Sequence, residues 1–127
     1  MDNDTKKCVL LLEDEEMVRF IVNDYLKEAG FEVLEFSDAL PAIEEINKRN
    51  IDVAIVDINI PNMSGDDFIV KAKKMRPNIQ FIIHTGSSDY KISSKLKDMG
   101  VSQDNVLIKP VEDMNIFATS VNKLIQK

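Results

Sequence analysis

The apolar residues of this chain fall into two kinds of run. Cys8-Val9-Leu10-Leu11-Leu12 and Val53-Ala54-Ile55-Val56 are unbroken, and Ile79 to His84 is nearly so. Such runs mark strands buried on both faces. Between them the apolar positions recur at three- and four-residue spacing, as in helices with one face on a sheet.

In chain order, the first strand runs from Lys7 to Leu12. A helix from about Glu15 to Ala29 follows, with Val18, Ile21, Val22, Tyr25, Leu26 and Ala29 on one stripe. Glu15 and Glu16 suit its first turn, and Gly30 ends it. Phe31 to Phe36 is a second strand. Ser37 or Asp38 caps a helix reaching about Arg49, with Pro41 tolerated in the first turn. Asp52 to Asp57 is the third strand, and Ser64 to Met75 a helix stopped by Arg76-Pro77. Ile79 to His84 makes the fourth. The polar loop Thr85-Gly86-Ser87-Ser88-Asp89 leads to a weakly patterned helix ending at Gly100. Val106 to Ile108 is a short fifth strand closed by Lys109-Pro110, and the last helix aligns Met114, Phe117, Val121, Leu124 and Ile125. Alternating strands and helices, with strands buried on both sides, predict an α/β fold: a doubly wound parallel sheet of about five strands.

The length of 127 residues predicts a single domain over 1–127, with its core from about 7 to 124. Its one cysteine, Cys8, excludes an internal disulfide and reads as a small buried hydrophobe. The net charge of −6 argues against a nucleic-acid surface. Lys71, Lys73 and Lys74, and Lys91, Lys95 and Lys97, read as solvated helix faces. Residues 1–7 lack the apolar core of a leader, and no run approaches the ~18 apolar residues of a membrane span. A cytoplasmic protein without membrane insertion is expected.

Chemistry enters at the strand ends. Open α/β sheets place their sites at the carboxyl edge, and here that edge carries Glu13-Asp14, Asp57, Thr85 and Lys109. Two carboxylates 4 Å apart repel by about 1 kcal/mol in water and about 4 kcal/mol at an effective dielectric near 20. Three need a cation or raised pKa values. Oxygen ligands beside an open cleft suit Mg2+, with Glu13, Asp14 and Asp57 as carboxylate ligands and the Asn59 carbonyl as a further one. Asp57 then becomes a nucleophile toward phosphorus. Lys109 and the Thr85 hydroxyl suit the charge of an incoming phosphoryl group, as do main-chain N–H groups near Gly86 and Ser87.

These motifs resemble the receiver domains of two-component response regulators. The resemblance runs from about Lys7 to Leu124. It rests on Leu12-Glu13-Asp14-Glu15, on Val56-Asp57-Ile58-Asn59-Ile60-Pro61 followed by Gly65, on His84-Thr85-Gly86, and on Ile108-Lys109-Pro110. It implies a flavodoxin-like sheet of order 2-1-3-4-5 and a cis Lys109-Pro110 bond. Asp57 would accept a phosphoryl group from a histidine kinase or phosphotransfer protein. Glu13 and Asp14 would position Mg2+, Thr85 would be the switch hydroxyl, and Lys109 would pair with the phosphate. Output would go to a separate protein through the face of the fourth helix, fifth strand and last helix. A phosphorelay intermediate, or a receiver cut from a larger regulator or hybrid kinase, fits the same motifs.

Three positions depart from the family's pattern. Val106 stands where an aromatic switch residue is common, so the readout involves no rotating ring there. Ser102-Gln103-Asp104-Asn105 lengthens the approach to Lys109 by about two residues relative to the family pattern, and Gly86 replaces the commoner alanine. His84, the only histidine, is tempting as a phosphocarrier, but strand alternation is expected to point it opposite to Thr85 and away from the pocket, in a structural role. Met17 and Phe20 lie off the apolar stripe near the acidic loop and are candidates for a phosphodonor docking surface. An aspartyl phosphatase of the haloacid dehalogenase type would want a second Asp where Asn59 stands. An FMN-binding flavodoxin would not tolerate Glu13-Asp14-Glu15-Glu16 against its phosphate.

Overall fold

The computed structural model describes residues 6–126. Residues 1–5, part of the stretch read above as lacking a leader's apolar core, lie outside the described residues. The strands are β1 (Cys8–Leu12), β2 (Glu32–Phe36), β3 (Val53–Val56), the two-residue β4 (Asn59–Ile60) and β5 (Met63–Ser64), β6 (Gln80–Thr85) and β7 (Val106–Ile108). The helices are α1 (Glu16–Glu28), α2 (Ala39–Lys48), α3 (Gly65–Met75), α4 (Ser94–Asp98) and α5 (Asn115–Ile125).

Five strands form one parallel sheet in the order β2-β1-β3-β6-β7. Counting only these five, the order is the expected 2-1-3-4-5. β4 and β5 pair antiparallel in a separate ribbon just after β3; the sequence reading had only a turn there. Register sets the working edge. Leu12 pairs with Val56, Val56 with Ile83, and Thr85 with Ile108. Glu13, Asp57, Thr85 and Lys109 therefore emerge side by side.

Side chains alternate across the sheet and feed two cores. Leu10, Leu12, Ala54 and Val56 pack with Ala42 and Ile46 of α2, Phe68 and Ile69 of α3 and Leu96 of α4. On the opposite face Val9, Leu11, Ile55 and Ile82 pack with Val22 and Leu26 of α1 and Phe117 and Val121 of α5. Phe68 and Phe117 are wholly buried, each stabilising the fold by roughly 1.5–3 kcal/mol. Cys8 is buried, and burial pushes its thiol up to about 11. Asp38, not Ser37, caps α2 by accepting from the Leu40 N–H, and Ser64 caps α3 by accepting from the Asp67 N–H.

Two expectations change. Ile21, placed on the buried stripe of α1, is exposed, while Asn23 is buried and donates to Glu35 Oε2 of β2 at 2.9 Å. The helix is rotated so that one edge reaches a polar partner on β2, which a purely apolar periodicity does not reveal. The helix expected before Gly100 shrinks to the five residues of α4. The longer loop beyond it holds a single 3-10 turn at Gln103–Asn105, capped by Ser102.

Candidate functional site

Asp57 follows the last residue of β3, and its N–H donates to Leu12 O at 3.0 Å, which locks it beside the end of β1. Its Oδ1 accepts from the Asn59 N–H at 3.1 Å. The ribbon beyond it turns at Pro61-Asn62. Asn62 has φ 74°, a left-handed conformation that asparagine tolerates. Its side-chain amide donates to Asp38 Oδ2 at 2.8 Å and ties the turn to the start of α2. At Gly65 an added Cβ would lie 2.7 Å from the Ile58 Cα, so only glycine permits this close return of the chain under Asp57.

Three carboxylates meet here. Glu13, Asp14 and Asp57 each offer an oxygen within 4.8 Å of the other two. Glu13 and Asp57 are buried and Asp14 is exposed. The Lys109 ammonium answers this charge, donating to Glu13 Oε2 at 3.0 Å, Glu15 Oε1 at 3.0 Å and Asp57 Oδ2 at 3.1 Å. Burial alone would lower its pKa, but these three partners hold it above its ordinary value. Burial raises the Glu13 carboxyl to about 7, with Asp57 reinforcing the rise and Lys109 opposing it. Arg19 braces the loop by donating from Nη1 to Glu13 O at 2.9 Å. Glu13 Oε1 is buried without a hydrogen-bond partner among the described residues. Three hard oxygens, one buried carboxylate half-unsatisfied and one ligand open to solvent make a donor set that fits Mg2+.

Thr85 is wholly buried at the end of β6, and its Oγ1 accepts from the Ser87 N–H at 3.1 Å. That N–H, expected to face the phosphoryl group, is thus engaged by the hydroxyl. The Lys109 N–H donates to Thr85 O at 2.8 Å, and the Lys109-Pro110 bond is cis. Asn59 lies at the mouth, exposed.

His84 needs a correction. Its ring faces away from Thr85, as alternation requires, and packs edge-on to Phe117 with centroids 5.1 Å apart. It is nonetheless not remote, because Nδ1 lies 3.7 Å from Glu13 Oε1. Glu13 continues the alternation of Val9 and Leu11 onto the α1–α5 side, the face that His84 shares with Ile82. Burial and the Lys109 charge push the imidazole down to about 4, so it is neutral near pH 7. Two residues escaped the sequence reading. Glu15 was read only as a first-turn acid, and Arg19 was passed over. An acid flanking the Glu-Asp pair, with an arginine one helical turn later, was the available signal.

Beside the acids, α1, α5 and the Lys109-Pro110 corner enclose a cavity of about 350 Å3. Ile21 lines it, and Met17 and Phe20 also lie exposed on α1, Met17 at 70% and Phe20 at 63%. No described helix is long and apolar enough to cross a membrane.

Comparison with known proteins agrees with this edge. The family model described as "Response regulator receiver domain" matches residues 9–120. The chain is 35% identical over 103 residues to a cyclic di-GMP phosphodiesterase of Thermotoga maritima, covering 81% of this chain and 27% of that protein. It is 24% identical over 92 residues to the sporulation initiation phosphotransferase F of Bacillus subtilis, covering 72% of this chain and 74% of the other. The chain thus spans about a quarter of the first relative's length. Among solved structures, the response regulator TrrA of Thermotoga maritima, crystallised in complex with Mg2+ and BeF, superposes with a TM-score of 0.79. Its identity is 25%, and the match covers 93% of this chain and 98% of that one. From the parallel sheet, the acids at its edge and the family match together, this chain belongs to the response regulator receiver domains, which are phosphoacceptor signalling switches.

Proposed function

We propose that the phosphoryl group is taken on Asp57, in a reaction that needs Mg2+, from a histidine kinase or histidine phosphotransfer protein. The observation that carries this is the Lys109 ammonium bonded at once to Asp57 and to Glu13. A carboxylate so held is fixed in direction. An Asp57 oxygen attacks phosphorus, the bond from phosphorus to the donor's imidazole nitrogen breaks, and that nitrogen keeps the electron pair. Lys109 balances the charge that builds on the equatorial oxygens. Glu13, Asp14 and Asp57, with the Asn59 carbonyl, would hold Mg2+. The ion would supply a positive partner for the phosphoryl oxygens. TrrA, with its Mg2+ and BeF, lends the reading support.

The aspartyl phosphate brings about −1.5 to −2 charges. Thr85 then gives up the Ser87 N–H and turns its hydroxyl to a phosphoryl oxygen. The loop from Gly86 onward moves with it and changes the face of α4, β7 and α5 that a downstream protein reads. Beyond this self-directed transfer and hydrolysis of its own aspartyl phosphate the domain turns over no substrate. Because one relative is a phosphotransferase matched over 74% of its length, a second reading is a relay that hands the group to another histidine protein.

Incubation with Mg2+ and acetyl phosphate, read by intact mass, is the test. One phosphoryl adduct is expected, lost in Asp57→Asn and lost on chelation; an adduct that survives Asp57→Asn overturns the assignment. Exposed Met17 and Phe20 suit a protein donor's apolar surface. Phe20→Ala should slow transfer from a phosphorylated histidine protein about tenfold, the effect of losing roughly 1.4 kcal/mol of contact, and leave acetyl phosphate labelling intact. Equal loss in both assays removes α1 from donor docking.

A further inference from the structure

We infer that Glu15 is a competing counter-ion that occupies Lys109 until the phosphoryl group arrives, and so sets how readily Asp57 is charged. The inference rests on the preceding assignment of Lys109 to the phosphoryl group.

Three observations converge. An ammonium has three protons to give, and in this structure Glu13, Glu15 and Asp57 take all three. A phosphoryl oxygen can be bonded only if one of them lets go. Glu13 is buried within the sheet edge and Asp57 is the acceptor itself. The Glu15 side chain is 62% exposed and can swing into water. It is the partner released at least cost.

The local backbone gives an independent reason. Glu15 occupies the N-cap position of α1 in extended conformation, yet its side chain makes no capping bond. Asn, Asp, Ser and Thr are the residues that satisfy the free N–H groups of a helix start. A longer side chain forgoes that bond and reaches across to Lys109. The Glu15 N–H, meanwhile, donates to Glu13 Oε2 at 3.2 Å. The backbone of this residue thus fixes one acid of the site while its side chain holds the lysine. Neighbouring Glu16 carries the same charge in the first turn of α1 and makes no bond to Lys109.

Glu15 acts through Lys109 and is a positioning residue. Its removal should free the ammonium for a phosphoryl oxygen. At contact distance in water, one ammonium released to pair with that oxygen changes a rate by about fivefold.

The test compares Glu15→Gln and Glu16→Gln with the unaltered chain at saturating Mg2+, following phosphoryl adduct formation from acetyl phosphate by intact mass. The expected result is about fivefold faster labelling in Glu15→Gln. Decay of the adduct should also slow, because Lys109 stays with the phosphoryl group, and a fold perturbation would not shift the two rates in opposite senses. Glu16→Gln should match the unaltered chain. A third chain, Glu15→Gln combined with Lys109→Ala, should label no faster than Lys109→Ala alone. Unchanged labelling in Glu15→Gln, an equal gain in Glu16→Gln, or a gain that persists without Lys109 each overturns the inference. An unaltered chain that takes no adduct instead overturns the phosphoacceptor assignment, which keeps the two failures apart.

Discussion

The molecule divides after β6 into two parts that supply the same site and are held by different means. From Cys8 to Met75, three helices of 13, 10 and 11 residues cover the sheet, and α2 and α3 start on capping side chains. Between Thr85 and Val106 the one α-helix has five residues and buries only Leu96. The backbone there is tied by side chains. Gln103 accepts from the Ile92 N–H and donates to Tyr90 O, and the Tyr90 hydroxyl donates to Asp66 Oδ1 on α3 at 2.7 Å. A segment with few buried contacts and a handful of polar ties opens at low cost. Asp57 and its acids thus sit on the part held by long packed helices, and Thr85 leads into the part held by polar ties.

The largest effect that would break this division is in the cores. Phe68→Ala removes a wholly buried ring of α3 and should cost about 3–5 kcal/mol in urea unfolding. Leu96→Ala removes the only buried side chain of α4. It should fall near the low end of the usual range, about 2 kcal/mol, since a five-residue helix can let go without opening the sheet. Equal losses would show that α4 is as integral as α3.

Next in size is the acid cluster. The Glu13 carboxyl stands at about 7 in the folded protein against an ordinary 4.5, chiefly through burial. A raised folded pKa contributes stability that is complete below about pH 4.5 and lost as pH rises through 7. At about 1.4 kcal/mol per unit that loss is on the order of 3 kcal/mol. Glu13→Gln has no such ionisation. Measured by urea in chelator, the variant should gain on the unaltered chain between pH 5 and pH 8, and Mg2+ should close the gap at the upper end. A gap that does not change with pH would mean that Lys109 already neutralises Glu13, and the fixed half would carry no charge strain.

What was legible follows the same division. Unbroken runs such as Val53–Val56 and the Arg76-Pro77 stop are local signals, and they placed the strands, α3 and the strand-end acids directly. The sheet order and the cis bond at Pro110 came through family likeness. The five-residue α4 and the ribbon after Asp57 were not legible, because side-chain bonds between distant positions decide them. Gln103 is 11 residues from Ile92 and Tyr90 is 24 from Asp66. Likewise Glu15 meets Lys109 across 94 residues, and no period in the sequence announces that meeting. The residues beyond Val101 that looked like a mere insertion carry Gln103, whose amide satisfies backbone groups that a longer helix would have satisfied itself.

The smallest expected effect isolates the tie itself. Tyr90→Phe keeps the ring, half-buried against the α2–α3 core, and removes only the hydroxyl bonded to Asp66. Because Asp66 remains able to bind water at the N-terminal turn of α3, the global cost should be about 1 kcal/mol or less. Locally the change should be plain: amide exchange over residues 86–93 should quicken about fivefold, with Val53–Val56 unaltered. If that segment loosens while the rate of phosphoryl uptake on Asp57 stays constant, capture and response are mechanically separate. If uptake slows in step with the loosening, Tyr90 also holds Thr85 in position, and the boundary between the two parts belongs before β6 rather than after it.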